Sequence, residues 1–360
     1  MSWLVRLRHW RNSILLQSSF VRRSMYWPIL RWVARRKTRQ MFSLVAGFVH
    51  SQTLWVCLKT GVLEQLRQGE CSLQALADHC GLDQQTLVPW LESACGLQLI
   101  ECTSSGRYML GPQGAALLAQ PGVQAMVEHH SALYADLADP LALRAGAAGR
   151  TELSSYWGYA RGGGDPESVN ARKYSSLMAQ SQQLLADQII QAFDFSRYQS
   201  WIDVGGGHGA LAMAVHQRHP TLRIRVLDLP TVAATAPKFG AVQWQAVDMF
   251  VDPWPRGADL ISLVRVVHDH DQPAVETLMQ QAFAALPSGG TLLLAEPMLR
   301  DRGADPVGAY FQVYLLAMGQ GRLRTKSQLQ QLLEAAGFVA VQRLSTAIPD
   351  LVQVLVARKP

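Results

Sequence analysis

The stretch Trp201-Ile202-Asp203-Val204-Gly205-Gly206-Gly207-His208-Gly209-Ala210-Leu211 decides the architecture of this 360-residue chain. An apolar run breaks into a cluster of glycines and resumes as a helical pattern, the strand, tight turn and helix that open a βαβ unit. Outward from it, Ser200–Val204, Leu222–Asp228, Val242–Val247, Ala258–Val264 and Thr291–Glu296 read as buried strands. Helices are expected near 208–218, 231–236, 273–285 and 326–336. Such alternation predicts a mostly parallel sheet covered on both faces. Val339–Leu344 and Leu351–Arg358 are expected to add an antiparallel edge. The expected fold is therefore α/β and Rossmann-like, with seven strands.

Ligands on such sheets bind beyond the carboxyl ends of the strands. The first strand ends at Asp203 and the glycines 205, 207 and 209, whose missing side chains let a ligand approach the backbone ahead of a helix N-terminus. The second ends at Asp228, suited to both hydroxyls of a ribose. The third leads into Asp248-Met249-Phe250, a carboxylate and an apolar pair suited to an adenine. The fourth leads into Arg265-Val266-Val267-His268-Asp269-His270-Asp271, and the next ends at Glu296. His268 is the histidine placed at a strand end, and Glu296 is near enough in topology to orient it through its second ring nitrogen. His268, Asp269 and His270 have no further ligand cluster, so no metal is expected.

Gly205, Gly207 and Ala210 also satisfy a dinucleotide fingerprint. Two features favour S-adenosylmethionine (SAM) over a nicotinamide. Asp203, just ahead of the turn, is placed to grip an amino-acid moiety through water, and Asp248 stands where an adenine would lie.

Residues 1–63 hold 11 of the 33 Lys and Arg and no carboxylate, leaving 22 basic and 27 acidic residues for the rest. Residues 1–40 form a basic leader with Trp3, Trp10, Trp27 and Trp32, a composition suited to an anionic membrane surface. The bland alternative is a disordered or loosely helical leader without a partner. Met41–Arg67 is expected as a core helix. Ser72 and Asp83 cap two short helices, Leu73–His79 and Gln84–Cys95, and Leu97–Cys102 and Tyr108–Leu110 form a hairpin, the pattern of a winged helix. Residues 68–106 contain no Lys or Arg but five carboxylates, so this module would repel a duplex and no nucleic acid is expected. Residues 112–198 read as mostly helical, with a loop at 162–166 and a helix from about Ser168 to Phe193. Five cysteines without a C-x-x-C spacing point to a reducing cytoplasm rather than a disulfide framework.

Asp203–Gly209, Asp228-Leu229-Pro230, Asp248-Met249-Phe250, His268-Asp269 and Ala295-Glu296-Pro297, in that order, resemble class I O-methyltransferases with an N-terminal winged-helix dimerisation domain. Val45–Gln52, Arg265–Asp271 and Tyr310–Arg322 are further similar to the carotenoid O-methyltransferases of purple phototrophic bacteria, which methylate a tertiary hydroxyl of an acyclic carotene. After the basic leader over 1–40, the resemblance, which covers roughly 41–358, implies a helical dimerisation domain over 41–190 and a SAM-binding domain over 191–360. It implies that Gly205 and Gly207 contact the cofactor, that Asp228 binds its ribose, and that Asp248 and Met249 bind its adenine. It further implies His268 as general base oriented by Glu296, a homodimer, and a hydrophobic small-molecule acceptor reached from the cytoplasm with peripheral contact at the inner photosynthetic membrane. A phenol, a polyketide oxygen or a carbon of a chlorin ring remains an alternative acceptor. Two departures stand out. Gly321-Arg322-Leu323-Arg324 lacks the second acid of the plant members, and His270 replaces their Trp. Tyr310, Phe311, Tyr314, Leu315 and Met318 are expected either to line a hydrophobic tunnel or to be core.

Overall fold

A computed structural model of the chain describes residues 3–17, 26–144, 151–156, 185–303 and 305–360. It divides into two compact units, Met1–Ala119 and Gln120–Pro360. This division differs from boundaries at 40 and 190. The physical reason is that Leu133 and Leu153 share an apolar cluster with Leu315 and Met318 of the helix Pro306–Met318, so residues well before 190 pack with the C-terminal unit. The loop expected at 162–166 and the first part of the helix expected from Ser168 lie outside the described residues, while 185–192 is helical.

In the first unit, Trp3–Leu15 and Pro28–Val45 are helices without a buried residue. The single helix expected from Met41 is instead three. Pro28–Val45 ends at Ala46, Gly47–Lys59 follows, and Gly61 at φ +71 separates the latter from Val62–Arg67. Burial begins at Thr53 and Cys57 and continues with Val62, Leu63 and Leu66. Among the described residues no single helix is long and apolar enough to cross a membrane. The pair 28–45 and 47–59, bent by 59°, has the length and composition to do so together. The winged-helix pattern forms as expected. Ser72 Oγ accepts from Ala75 N and Asp83 Oδ1 from Thr86 N, each satisfying a free N–H of a helix start. The strands β1 (Ile100–Cys102) and β2 (Tyr108–Leu110) pair antiparallel behind them.

The second unit is built on β3 (Ser200–Val204), β4 (Arg223–Asp228), β5 (Gln243–Ala246), β6 (Leu260–Val264), β7 (Thr291–Glu296), β8 (Val339–Leu344) and β9 (Gln353–Arg358). Their order is β5-β4-β3-β6-β7-β9-β8. The first five are parallel; β9 runs antiparallel between β7 and β8. The direction of winding reverses between β4 and β6, so β3 marks the switch point where α/β sheets bind ligands.

Period-two alternation divides the strand residues between two cores. Ile202, Val204, Ile261 and Leu263 pack under Leu278 and Met279 of the helix Gln272–Ala285 and under Leu329 and Leu333 of Lys326–Ala335. Trp201, Ile224, Val226 and Leu260 pack with Ile189 and with Leu211 and Val215 of Ala210–Arg218. Burial on both faces explains why the central β6 and β7 are almost wholly apolar; β5, expected to be buried, lies at the sheet edge and is exposed or half-buried throughout.

Candidate active site

Asp203 is buried in the second core face, one residue before the end of β3. A short relay holds it: Trp201 Nε1 donates to Ser262 Oγ at 2.8 Å, and the Ser262 hydroxyl donates to Asp203 Oδ1 at 2.5 Å. Burial raises the Asp203 carboxyl from 3.8 to about 7, opposed in part by the Ser262 hydrogen bond. Nothing in the sequence marks Ser262 as part of the site; only strand pairing puts it opposite Asp203.

The turn after β3 depends on left-handed backbone. Gly205 and Gly207 have φ of +69 and +59, a region L-residues with a Cβ avoid. A Cβ at Gly205 would lie 2.8 Å from Val266 Cγ2, whereas at Gly207 it would meet open space. Gly207 N donates to Asp228 Oδ2 and Leu229 N to Asp228 Oδ1, both at 2.8 Å. A carboxylate has about four lone-pair sites, so Asp228 keeps acceptor capacity on the open side of the glycine turn. Trp244 Nε1 caps the turn from β5, donating to Gly207 O at 3.2 Å. Beyond β5, Asp248 Oδ1 accepts from Phe250 N at 2.9 Å, Met249 is half-buried, and Met249 O accepts from Trp254 Nε1 at 3.0 Å. The Phe250 ring meets His270 edge-on at 4.9 Å.

A second constellation forms where β6 and β7 end side by side. Glu296 is 1% exposed; its Oε1 accepts from Val266 N at 2.9 Å and Val267 N at 2.8 Å, and its Oε2 lies 2.5 Å from His268 Nδ1. Such bonding makes Nδ1 a proton donor to Glu296, while Nε2 lies 3.2 Å from Asp269 Oδ1. His268 sits on a 3-10 turn, Val267–Asp269, preceded by Arg265 in the left-handed region at φ +56. Burial opposes the imidazolium, but the Asp269 and Glu296 carboxylates outweigh it and carry His268 above its usual range. Burial raises Asp269 to about 6 despite the His268 and Arg265 charges, and lowers His270 to about 4.

The helix Pro306–Met318 divides along its faces. Leu315 and Met318 are core. Tyr310 Oη lies 2.6 Å from His130 Nε2 and Tyr314 Oη 3.2 Å from His129 Nε2. Where the plant-type acid would stand, Leu323 is buried among Leu143, Leu153, Leu315 and Met318. Among the described residues no group of three or more His, Cys, Asp or Glu is arranged to hold a metal.

All eight sequence-derived candidates therefore sit at carboxyl ends of β3 to β7, but in two sets: Asp203, Gly205, Gly207, Asp228, Asp248 and Met249 around the glycine turn, and His268 with Glu296 beside it. The first set fits an adenosyl amino acid through its left-handed glycine cradle, free carboxylate lone pairs and buried acid. The second is a histidine and carboxylate pair able to take a proton.

Comparison with known proteins agrees with that class. An O-methyltransferase domain model matches residues 135–339. The chain is 38% identical over 338 residues to demethylspheroidene O-methyltransferase of Rhodobacter capsulatus, covering 92% of this chain and 85% of that protein. It is also 38% identical over 346 residues to the protein of that name from Cereibacter sphaeroides, covering 92% and 90%. Human N-acetylserotonin methyltransferase in complex with SAM superposes with a TM-score of 0.74 at 23% identity, covering 90% of this chain and 97% of that one. The chain belongs to the O-methyltransferase family and is a SAM-dependent O-methyltransferase.

Proposed function

We propose that the acceptor is an acyclic carotenoid and that the methylated atom is its tertiary 1-hydroxyl oxygen, with His268 as general base. The observation that carries the chemistry is the Glu296 contact to His268 Nδ1, which leaves Nε2 to receive the hydroxyl proton. The extent of similarity to two demethylspheroidene O-methyltransferases supports the acceptor class.

When bound, the cofactor supplies an activated methyl group. Gly205 and Gly207 would admit it against the backbone, Asp228 would take the ribose hydroxyls, Asp248 and Met249 would border the adenine, and Asp203 would fix the amino-acid end. His268 would accept the proton that the acceptor hydroxyl loses on methylation, and Glu296 would hold the ring and offset the charge it gains; the new carbon–oxygen bond would replace the cofactor's carbon–sulfur bond, leaving S-adenosylhomocysteine. Alignment would contribute about 7–11 kcal/mol against about 3–5 kcal/mol from a base, and because an alkyl alcohol is a weak acid its proton would leave in concert with methyl transfer.

The enzyme works as a cytoplasmic homodimer, and residues 1–40 contact the membrane that holds the acceptor. Exposed Trp3, Trp10, Trp27 and Trp32 among arginines support that contact. The deciding experiment supplies labelled SAM with detergent-dispersed 1-hydroxy acyclic carotenes, and simple catechols in parallel. Label in the pigment but not in catechol establishes the acceptor class. Label in catechol alone reassigns it to a phenol.

A further inference from the structure

Arg324 is 2% exposed, and among the described residues no other Lys or Arg is buried. Its guanidinium reaches the turn that carries His268. Nη1 donates to Val267 O at 2.9 Å and to Arg322 O at 3.3 Å, and Nη2 donates to His270 O at 3.0 Å. The carbonyl between them, His268 O, accepts from Arg322 N at 2.9 Å. A Cβ on Gly321, at φ +78, would collide with that same oxygen. One loop, Gly321–Arg324, thus holds the carbonyls of Val267, His268 and His270.

A three-residue 3-10 turn cannot satisfy these carbonyls itself. A planar guanidinium spans two carbonyls at once, which an ammonium cannot do in one geometry. The bonds are charge-assisted and so stronger than neutral ones. Val267 O and His270 O flank His268 in the chain, so a rotation of the turn must break at least one of them. Arg324 is itself pinned, since Leu299 N donates to Arg324 O at 3.1 Å, three residues beyond Glu296. Glu296 therefore holds the N–H groups and ring of this segment while Arg324 holds its carbonyls, and both are anchored at the end of β7, Glu296 within it and Arg324 through Leu299 just beyond. Burial and the nearby Arg322 charge lower the Arg324 guanidinium to about 10, which leaves it cationic at neutral pH. Its Nε makes no hydrogen bond, so the site tolerates an unsatisfied buried donor to keep the other two nitrogens where they are.

We infer that Arg324 is a positioning residue for His268, fixing through the Val267 and His270 carbonyls the turn that aims the imidazole. This rests on the reading of His268 as the base, and the test is chosen to separate the two. The far-downfield proton resonance of the short His268 Nδ1–H bond to Glu296 is recorded in the ligand-free, full-length enzyme and assigned by its loss in His268→Asn. Arg324→Lys keeps charge and length but not the fork; Arg324→Met removes both. In each folded variant the resonance is expected to shift or broaden. Turnover is expected to fall about 10- to 100-fold, with acceptor KM and S-adenosylhomocysteine affinity within about threefold. An unchanged resonance with unchanged kcat in either variant overturns the inference, because a loop staple alone would lower only thermal stability. Should Arg324→Met not fold, Arg324→Lys decides. Full turnover in His268→Asn would remove the base assignment, while the resonance would still report whether Arg324 sets the imidazole.

Discussion

Nε2 of His268 lies 3.2 Å from Oδ1 of Asp269, so the nitrogen left open by Glu296 faces a second buried carboxylate. Both acids stabilise the imidazolium, which puts the resting pKa of His268 above its usual 6.5. With His268 as the proposed base, methyl transfer would need the neutral ring. Turnover is therefore lost as pH falls through this raised pKa, and the acid limb of a kcat profile lies above pH 6.5. Asp269→Asn removes one stabilising charge and moves that limb to lower pH. A limb that stays in place would show that Asp269 does not act on the ring.

Glu296→Gln keeps an acceptor for Val266 N and Val267 N but presents a donor to Nδ1, favouring the wrong tautomer. A fall in kcat of about 100-fold or more is expected, with S-adenosylhomocysteine affinity within about threefold by calorimetry. Glu296→Ala also strips the two N–H groups of their partner and is expected to cost roughly 2–5 kcal/mol in stability by denaturant titration.

Asp203 has a folded-state pKa, about 7, above its ordinary 3.8. Its contribution to stability is thus complete below about pH 3.8 and is lost as pH rises through about 7. Asp203→Asn is expected to gain Tm relative to the native enzyme at about pH 8 and not at about pH 4. Native affinity for S-adenosylhomocysteine should rise between about pH 5.5 and 7.5 as the carboxylate forms to meet the ligand ammonium, and the Asn variant should flatten that rise. A flat native profile would detach Asp203 from the ligand.

Neighbouring glycines should behave oppositely. A Cβ at Gly206 would lie 2.5 Å from Asp203 Oδ2 and 2.8 Å from Val226 Cγ1, so Gly206→Ala is expected to disturb the fold. Gly207→Ala meets no protein atom and incurs only left-handed strain of about 1–2 kcal/mol. It would intrude instead on the proposed cofactor cradle, so cofactor affinity is expected to fall far more than Tm. Equal losses of both in Gly207→Ala would contradict the cradle.

The basic helices Trp3–Leu15 and Pro28–Val45 expose all their residues except two half-buried positions, Ile14 and Ala34. Full-length protein is expected to co-sediment with phosphatidylglycerol vesicles, not with phosphatidylcholine ones, and to be released as salt shortens the screening length. Equal recovery with both lipids, or none with either, would remove the electrostatic part of the membrane contact.

Much of the methyltransferase unit was legible because its signals are local. The apolar runs 200–204 and 291–296 are strands since both faces are buried, and Gly205 and Gly207 are glycine since their φ values demand it. The acids at positions 203, 228, 248 and 296 were visible because each ends or follows an apolar run, where an ionisable side chain is costly to bury without a partner. The first unit was less legible: Ala46 and Gly61 interrupt what reads as one helix, and an even apolar density from 41 to 67 hides the break.

What the amino-acid order determined by itself was the alternation of strand and helix, the glycine turn, and the chemistry at each strand end, all set by period, backbone sterics and the cost of burying charge. Tertiary structure alone decided the rest. It put Ser262 under Asp203, buried Leu323 where the plant members carry an acid, set Asp269 against the Nε2 of His268, and brought Arg324 across 57 residues of chain to the Val267 carbonyl. Such pairings arise from strand order and loop closure, which depend on where distant segments can bury apolar surface together, and no local pattern of residues encodes them.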